Sequence, residues 1–184
     1  MQLDEGKDLN NFRIIIIGSP FVGKTTFCEK LATNCQWNLD IIYKVGYSLY
    51  KRDDIINDHI LKVDILNTLG YERYRRNMSE YIEDCDGIVL MYDITEEASF
   101  DEIKMWIDSL QEHKQGPFAR LLLGNKNDID DQREVSYEEG RQSGEKFQGK
   151  FLEVSAKKSD GVAHAYRLLF EMILSQEKKS MMVL

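Results

Sequence analysis

Four short apolar runs set the skeleton of the chain. Phe12 to Ile17, Gly87 to Tyr92, Ala119 to Gly124 and Phe151 to Val154 are rich in β-branched residues and bounded by polar or glycine positions. Runs of this length predict buried strands. Between Val45 and Asn67 the pattern changes. Tyr47 and Leu49, then Ile60, Lys62, Asp64 and Leu66, predict two extended segments joined near Asp53 to His59 as an antiparallel pair. Elsewhere the period is helical. Ile103, Trp106, Ile107 and Leu110 fall at i, i+3, i+4 and i+7, behind a predicted capping box of Ser99 and Glu102. Ser136 and Glu139 repeat that device before a polar helix that Gly149 helps to end, and Val162, Tyr166, Leu169 and Ile173 stripe a last helix. Strands alternating with crossover helices predict an α/β domain with a mostly parallel sheet and helices on both faces. In such sheets ligands bind beyond the C-terminal strand ends.

Composition narrows the partners. The 184 residues show no repeat, linker or low-complexity stretch, so one domain spanning 1–184 is expected, with its core about 12–175. Lys and Arg number 24 against 32 Asp and Glu, a net charge of −8, which repels nucleic acid and anionic lipid. No apolar run reaches the ~20 residues of a membrane span, and Asp4, Glu5 and Asp8 argue against a secretory leader. Cys28, Cys35 and Cys85 form no CxxC pair and read as reduced, partly buried thiols of an intracellular protein. His59, His113 and His164 are scattered and are assigned no catalytic role.

An acidic protein that binds phosphate needs a local device, and the first strand leads directly into one. Gly18-Ser19-Pro20-Phe21-Val22-Gly23-Lys24-Thr25 fits GxxxxGK[ST] in a strand–loop–helix setting. Backbone N–H groups from Gly18 through Phe21, Val22 and Gly23 to Thr26 at the helix start are positioned to hold phosphate oxygens. Lys24 can reach the β- and γ-phosphates, and the Thr25 hydroxyl can bind Mg²⁺. Pro20 removes one donor and fixes φ. The loop alone does not choose between adenine and guanine.

Two later loops do. Gly124-Asn125-Lys126-Asn127-Asp128 and Ser155-Ala156-Lys157 follow predicted strands. NKxD and SAK behind a P-loop resemble the Ras superfamily of small GTPases from about Phe12 to Leu174, and GIVLMYDIT (Gly87 to Thr95) with Tyr71-Glu72-Arg73-Tyr74-Arg75 is most similar to the Rab branch. The resemblance implies a Ras-like G domain of the P-loop NTPase class, with a mostly parallel six-stranded sheet and one antiparallel strand. It implies GTP/GDP and Mg²⁺ as cofactors. It also implies that Asp128 accepts two hydrogen bonds from guanine, which adenine cannot supply. By the same resemblance Asn125 ties this loop to the phosphate loop, the Lys126 stem covers the base, and the Ala156 N–H, flanked by Ser155 and Lys157, meets the guanine O6. Trp37 lies seven residues before Lys44, where the family carries an aromatic stacked on the base; a core position under the first helix is the other placement.

At the hydrolytic end the pattern departs. Where the family has TIG, with a threonine that binds Mg²⁺, this chain has Lys44-Val45-Gly46. Where it has DTAGQE, this chain has Asn67-Thr68-Leu69-Gly70-Tyr71-Glu72. Asn67 thus replaces the aspartate that holds a metal-bound water, and Tyr71 the glutamine that orients the attacking water. Gly70, whose N–H contacts the γ-phosphate, is kept, so Lys24, Gly70 and Tyr71 are the candidates at the reacting phosphate. Magnesium is expected to rest on Thr25 and the phosphates, and hydrolysis to be slow. Lys44 either places an ammonium near the phosphates or stays solvated in its loop.

The leading expectation is a Rab-like GTPase in vesicle trafficking, cytoplasmic or at the cytosolic face of endomembranes, whose two switches bind effector and regulator proteins. The alternative is a hydrolysis-deficient guanine-nucleotide scaffold. A P-loop kinase is disfavoured because NKxD and SAK select guanine. Rab-like proteins usually end in prenylated cysteines, and Lys178 to Leu184 hold none, so membrane attachment would need a lipidated tail or further domain outside this chain.

Overall fold

The computed structural model describes residues 11–33, 39–56, 59–70, 82–113 and 116–181. In chain order the elements are β1 (Asn11–Ile17), α1 (Lys24–Thr33), β2 (Leu39–Lys44), β3 (Tyr47–Ile56), β4 (His59–Thr68), β5 (Gly87–Asp93), α2 (Glu97–His113), β6 (Ala119–Asn125), a 3-10 segment (Asn127–Gln132), α3 (Tyr137–Lys146), β7 (Lys150–Val154) and α4 (Val162–Met181). The strands form one sheet in the order β2-β3-β4-β1-β5-β6-β7. β3 alone runs against the others, pairing antiparallel with both β2 and β4.

β1 shows why its run reads as nearly unbroken isoleucine. It sits mid-sheet and is buried on both faces. Phe12, Ile14 and Ile16 enter one core layer with Phe27, Cys28 and Leu31 of α1 and Val162, Ala165, Leu169, Phe170 and Ile173 of α4. Phe12 meets Phe170 edge-on with ring centroids 5.2 Å apart. Ile15 and Ile17 enter the opposite layer with Phe100, Ile103, Ile107 and Leu110 of α2. Two helical layers therefore sandwich the sheet, as the alternation of strands and helices predicts.

Two local expectations are corrected. The sheet has seven strands, not six, because Leu39–Lys44 folds back on β3 through a two-residue turn at Val45 and Gly46. Its residues 40–44 are all exposed, so no apolar alternation marked it as a strand. The Ser99–Glu102 capping box does not form. α2 already starts at Glu97, and the buried Ser99 hydroxyl instead accepts the Asp93 N–H at 3.0 Å and donates to the Glu96 carbonyl at 2.8 Å. Gly149 helps to end α3 as expected, its N–H donating to the Gly144 carbonyl at 3.0 Å behind a left-handed Gln148 (φ 56°). The Ser136–Glu139 capping box is present as predicted. Cys28 and Cys85 are buried and outside any disulfide, and burial pushes the Cys28 thiol up. Cys35 lies outside the described residues.

Candidate functional site

The phosphate loop runs from the end of β1 to the first turn of α1, and its backbone is held in a form only certain residues tolerate. Gly23 takes φ 102°, and a Cβ there would lie 2.2 Å from Asn125 Nδ2, so a side chain is excluded by strain and by contact. Phe21 is also left-handed (φ 66°) and 85% exposed, an uncommon conformation for an aromatic residue. Val22 is fully buried, while Thr26 is half-buried in the first turn of α1.

Lys24 is buried, and its ammonium donates to the Gly18 carbonyl at 2.9 Å and the Ser19 carbonyl at 2.6 Å. Two of its three donors hold the loop closed, which leaves one for a ligand oxygen. Burial pulls its pKa down to about 8. The ammonium is thereby fixed and poorly solvated, a form in which an anion gains more than it would from a surface lysine.

Asn125, at the C-terminal end of β6, joins the two ends of the site. Its Nδ2 donates to the Val22 carbonyl at 2.7 Å, and its Oδ1 accepts the Ala156 N–H at 2.9 Å. One buried side chain thus fixes the phosphate loop against the loop after β7. Asp128 Oδ1 accepts the Ser155 hydroxyl at 2.6 Å, and that hydroxyl also accepts the Lys158 N–H at 3.0 Å. The Ser155 hydrogen bond is the main reason the Asp128 carboxyl is held below its usual range. Lys157 is exposed beside this cluster. Arg133 grips Glu153 with two hydrogen bonds of 2.7 and 2.8 Å, which pins the chain leaving the 3-10 segment to β7.

Lys126 is left-handed (φ 69°), and its ammonium pairs with Asp93 at the end of β5. Asp93 is itself set by Thr95, whose N–H and hydroxyl both donate to Asp93 Oδ1, at 2.9 and 2.7 Å. Asp93 was not legible as a site residue beforehand. Its one signal is that an acidic residue closes an otherwise apolar strand at its C-terminal end.

The metal-facing corner departs from a carboxylate site. Asn67 at the end of β4 donates from Nδ2 to Thr25 Oγ at 3.0 Å and to Ser48 Oγ at 3.1 Å. Its Oδ1 is buried with no hydrogen-bond partner among the described residues. Among the described residues no three His, Cys, Asp or Glu side chains converge as a metal cluster. Thr25 fits Mg²⁺ as one oxygen ligand; Asn67 brings an N–H toward that oxygen where a carboxylate would bring charge.

Gly70 (φ 80°) lies directly on the phosphate loop, where a Cβ would stand 2.4 Å from the Gly18 carbonyl oxygen and 2.7 Å from Pro20 N. The neighbouring Leu69 N–H donates to the Gly46 carbonyl at 3.0 Å, so the β2–β3 turn and the end of β4 are tied together. Lys44 is exposed at the turn end of β2, opposite Tyr47. Trp37 and Tyr71 lie outside the described residues. The described site therefore gathers Gly18, Val22, Gly23, Lys24, Thr25, Gly70, Asn125, Asp128, Ser155 and Ala156 at the C-terminal edge of β1, β4, β6 and β7.

A phosphate loop tied by a strand-end asparagine to an aspartate-bearing loop defines an α/β nucleotide-binding domain of the P-loop class, with a base end shaped by a carboxylate. The family model described as "Ras family" matches residues 13–175. Ras-related protein Rab-8B of Homo sapiens is 36% identical over 170 residues, covering 92% of this chain and 82% of that protein. Ras-related protein Rab-8 of Diplobatis ommata is 35% identical (92% and 80% covered), and Ras-related protein Rab-8A of Rattus norvegicus 34% (92% and 82%). The chain belongs to the Ras family, as a Rab-like small GTPase that binds GTP and GDP with Mg²⁺ and converts GTP to GDP and phosphate.

Proposed function

We propose that the chain, as a single G domain spanning 1–184 with its core about 12–175, is a nucleotide-dependent switch of vesicle trafficking that turns GTP over slowly. It acts in the cytoplasm or at the cytosolic face of endomembranes and presents its switch segments to effector and regulator proteins. The observation that carries the nucleotide reading is Asn125, which bridges Val22 and Ala156 and so couples the phosphate and base ends. In this reading Gly18, Phe21, Val22, Gly23, Thr25 and Thr26 hold phosphates, Lys24 and Gly70 meet the reacting phosphate, and Tyr71 stands beside it. Asp128, Lys126, Ser155, Ala156 and Lys157 surround the guanine, Trp37 stacks on it, and Thr25 is the metal ligand.

Slow turnover is supported by Asn67 at the metal corner, which supplies an amide where charge would favour a metal-bound water. The same observation favours a second reading, a scaffold that stays in one nucleotide state. Single-turnover phosphate release from GTP-loaded protein separates them. Release above the buffer rate supports the switch, and no release over hours with nucleotide still bound supports the scaffold. Equal competition by ATP would overturn the guanine assignment.

A further inference from the structure

Ser48 and Asn67 stand directly opposite one another in the antiparallel β3–β4 pair, so their side chains share the face turned toward α1. Both are buried. Asn67 spends both amide protons there, one on Thr25 Oγ at 3.0 Å and one on Ser48 Oγ at 3.1 Å. With nitrogen toward Thr25 and Ser48, its oxygen is left buried and unpartnered. In this orientation both hydroxyls accept from the amide nitrogen. Tyr50, the next residue on that face of β3, is buried as well.

From this geometry we infer that Ser48 and Asn67 form a metal-independent latch on Thr25, so that nucleotide residence in this protein is largely uncoupled from Mg²⁺. Ser48 is a positioning residue: it touches no ligand and acts by orienting the Asn67 amide. The Asn67 N–H occupies a lone pair of Thr25 Oγ and presents its positive end to any cation on that oxygen. The interaction that in a carboxylate site runs from strand through metal to helix here runs from β4 to α1 through a direct hydrogen bond. The inference deepens the guanine-nucleotide reading above and rests on it.

The test is release of fluorescent GDP from wild type, Asn67→Asp and Ser48→Ala, each in excess Mg²⁺ and in excess chelator. The ratio of the two rates within each protein is the readout. A general loss of stability speeds both rates and leaves the ratio unmoved. Wild type is expected to change less than about threefold on chelation, and Asn67→Asp to become at least about tenfold faster, the size of effect that partners around a metal usually carry. An aspartate fits the corner, since the Thr25 and Ser48 hydroxyls can reverse and donate to it. Ser48→Ala frees the amide to turn its oxygen toward Thr25, and an intermediate ratio is expected. Should Asn67→Asp fail to fold, Ser48→Ala carries the same comparison. A wild type that releases GDP tenfold faster in chelator, with neither variant more sensitive, overturns the latch while leaving the guanine reading intact. A wild type that retains GDP in neither condition overturns that reading and the latch with it.

Discussion

The Ser155 hydroxyl donates to Asp128 Oδ1 at 2.6 Å, and this contact holds the Asp128 carboxyl below its ordinary range. A carboxyl whose folded pKa lies below its unfolded value adds stability above the unfolded value and loses it as pH falls through the folded one. Ser155→Ala therefore moves the loss upward, into the ordinary aspartate range of about 4. Guanine nucleotide affinity measured between pH 7 and pH 4 should fall earlier in the variant. Coincident pH profiles would refute the role of the hydroxyl.

Asn125→Ala removes two hydrogen bonds and leaves the Val22 carbonyl and Ala156 N–H without their partner. Two stranded buried groups cost about 2–4 kcal/mol. Urea denaturation of the nucleotide-free protein should show that loss, and GDP affinity should fall with it. Stability unchanged to within about 0.5 kcal/mol would mean that the loops are joined by other contacts.

Gly70→Ala places a methyl group against Gly18 and Pro20 in a backbone conformation that disfavours any side chain. The segment must lift from the phosphate loop. GTP affinity should fall about tenfold more than GDP affinity, the scale of one lost hydrogen bond to a charged group. Equal losses for both nucleotides would place Gly70 away from the γ-phosphate.

Lys24 titrates near pH 8 in the folded chain, below its ordinary range, because burial disfavours the ammonium. Its charge therefore opposes folding at neutral pH, and between the two pKa values the unfolded chain holds the extra proton, so stability rises with pH there. Phosphate binding favours the charged form. Calorimetric titration with GDP at pH 8.5, in buffers of different ionisation enthalpy, should show net proton uptake. An enthalpy independent of the buffer would contradict this.

Legibility from the sequence follows periodicity and motif. β1, β5, β6 and β7 announce themselves because strands buried by helices need apolar runs, and the P-loop, NKxD and SAK motifs stand where strand ends put them. β3 is subtler. Tyr47 and Leu49 mark it as extended, yet the face turned to α1 carries Ser48, Tyr50 and Arg52, all buried. A serine in a strand is a weak signal, so its pairing with Asn67 became evident only once the register was known. Asp93 was hidden for a similar reason, since its partner Lys126 is remote in sequence and meets it across the β5–β6 edge.

The β2–β3 hairpin has a consequence for breathing of the fold. β2 is the terminal strand of the sheet, and its residues 40–44 lie exposed, so backbone pairing with β3 is its chief attachment. Its turn is also tied to the end of β4 by the Leu69 N–H donating to the Gly46 carbonyl. Peeling β2 away therefore opens neither apolar layer, and its amides should exchange with deuterium orders of magnitude faster than those of β1. The chain carries one strand that can come and go while the remaining six stay shut.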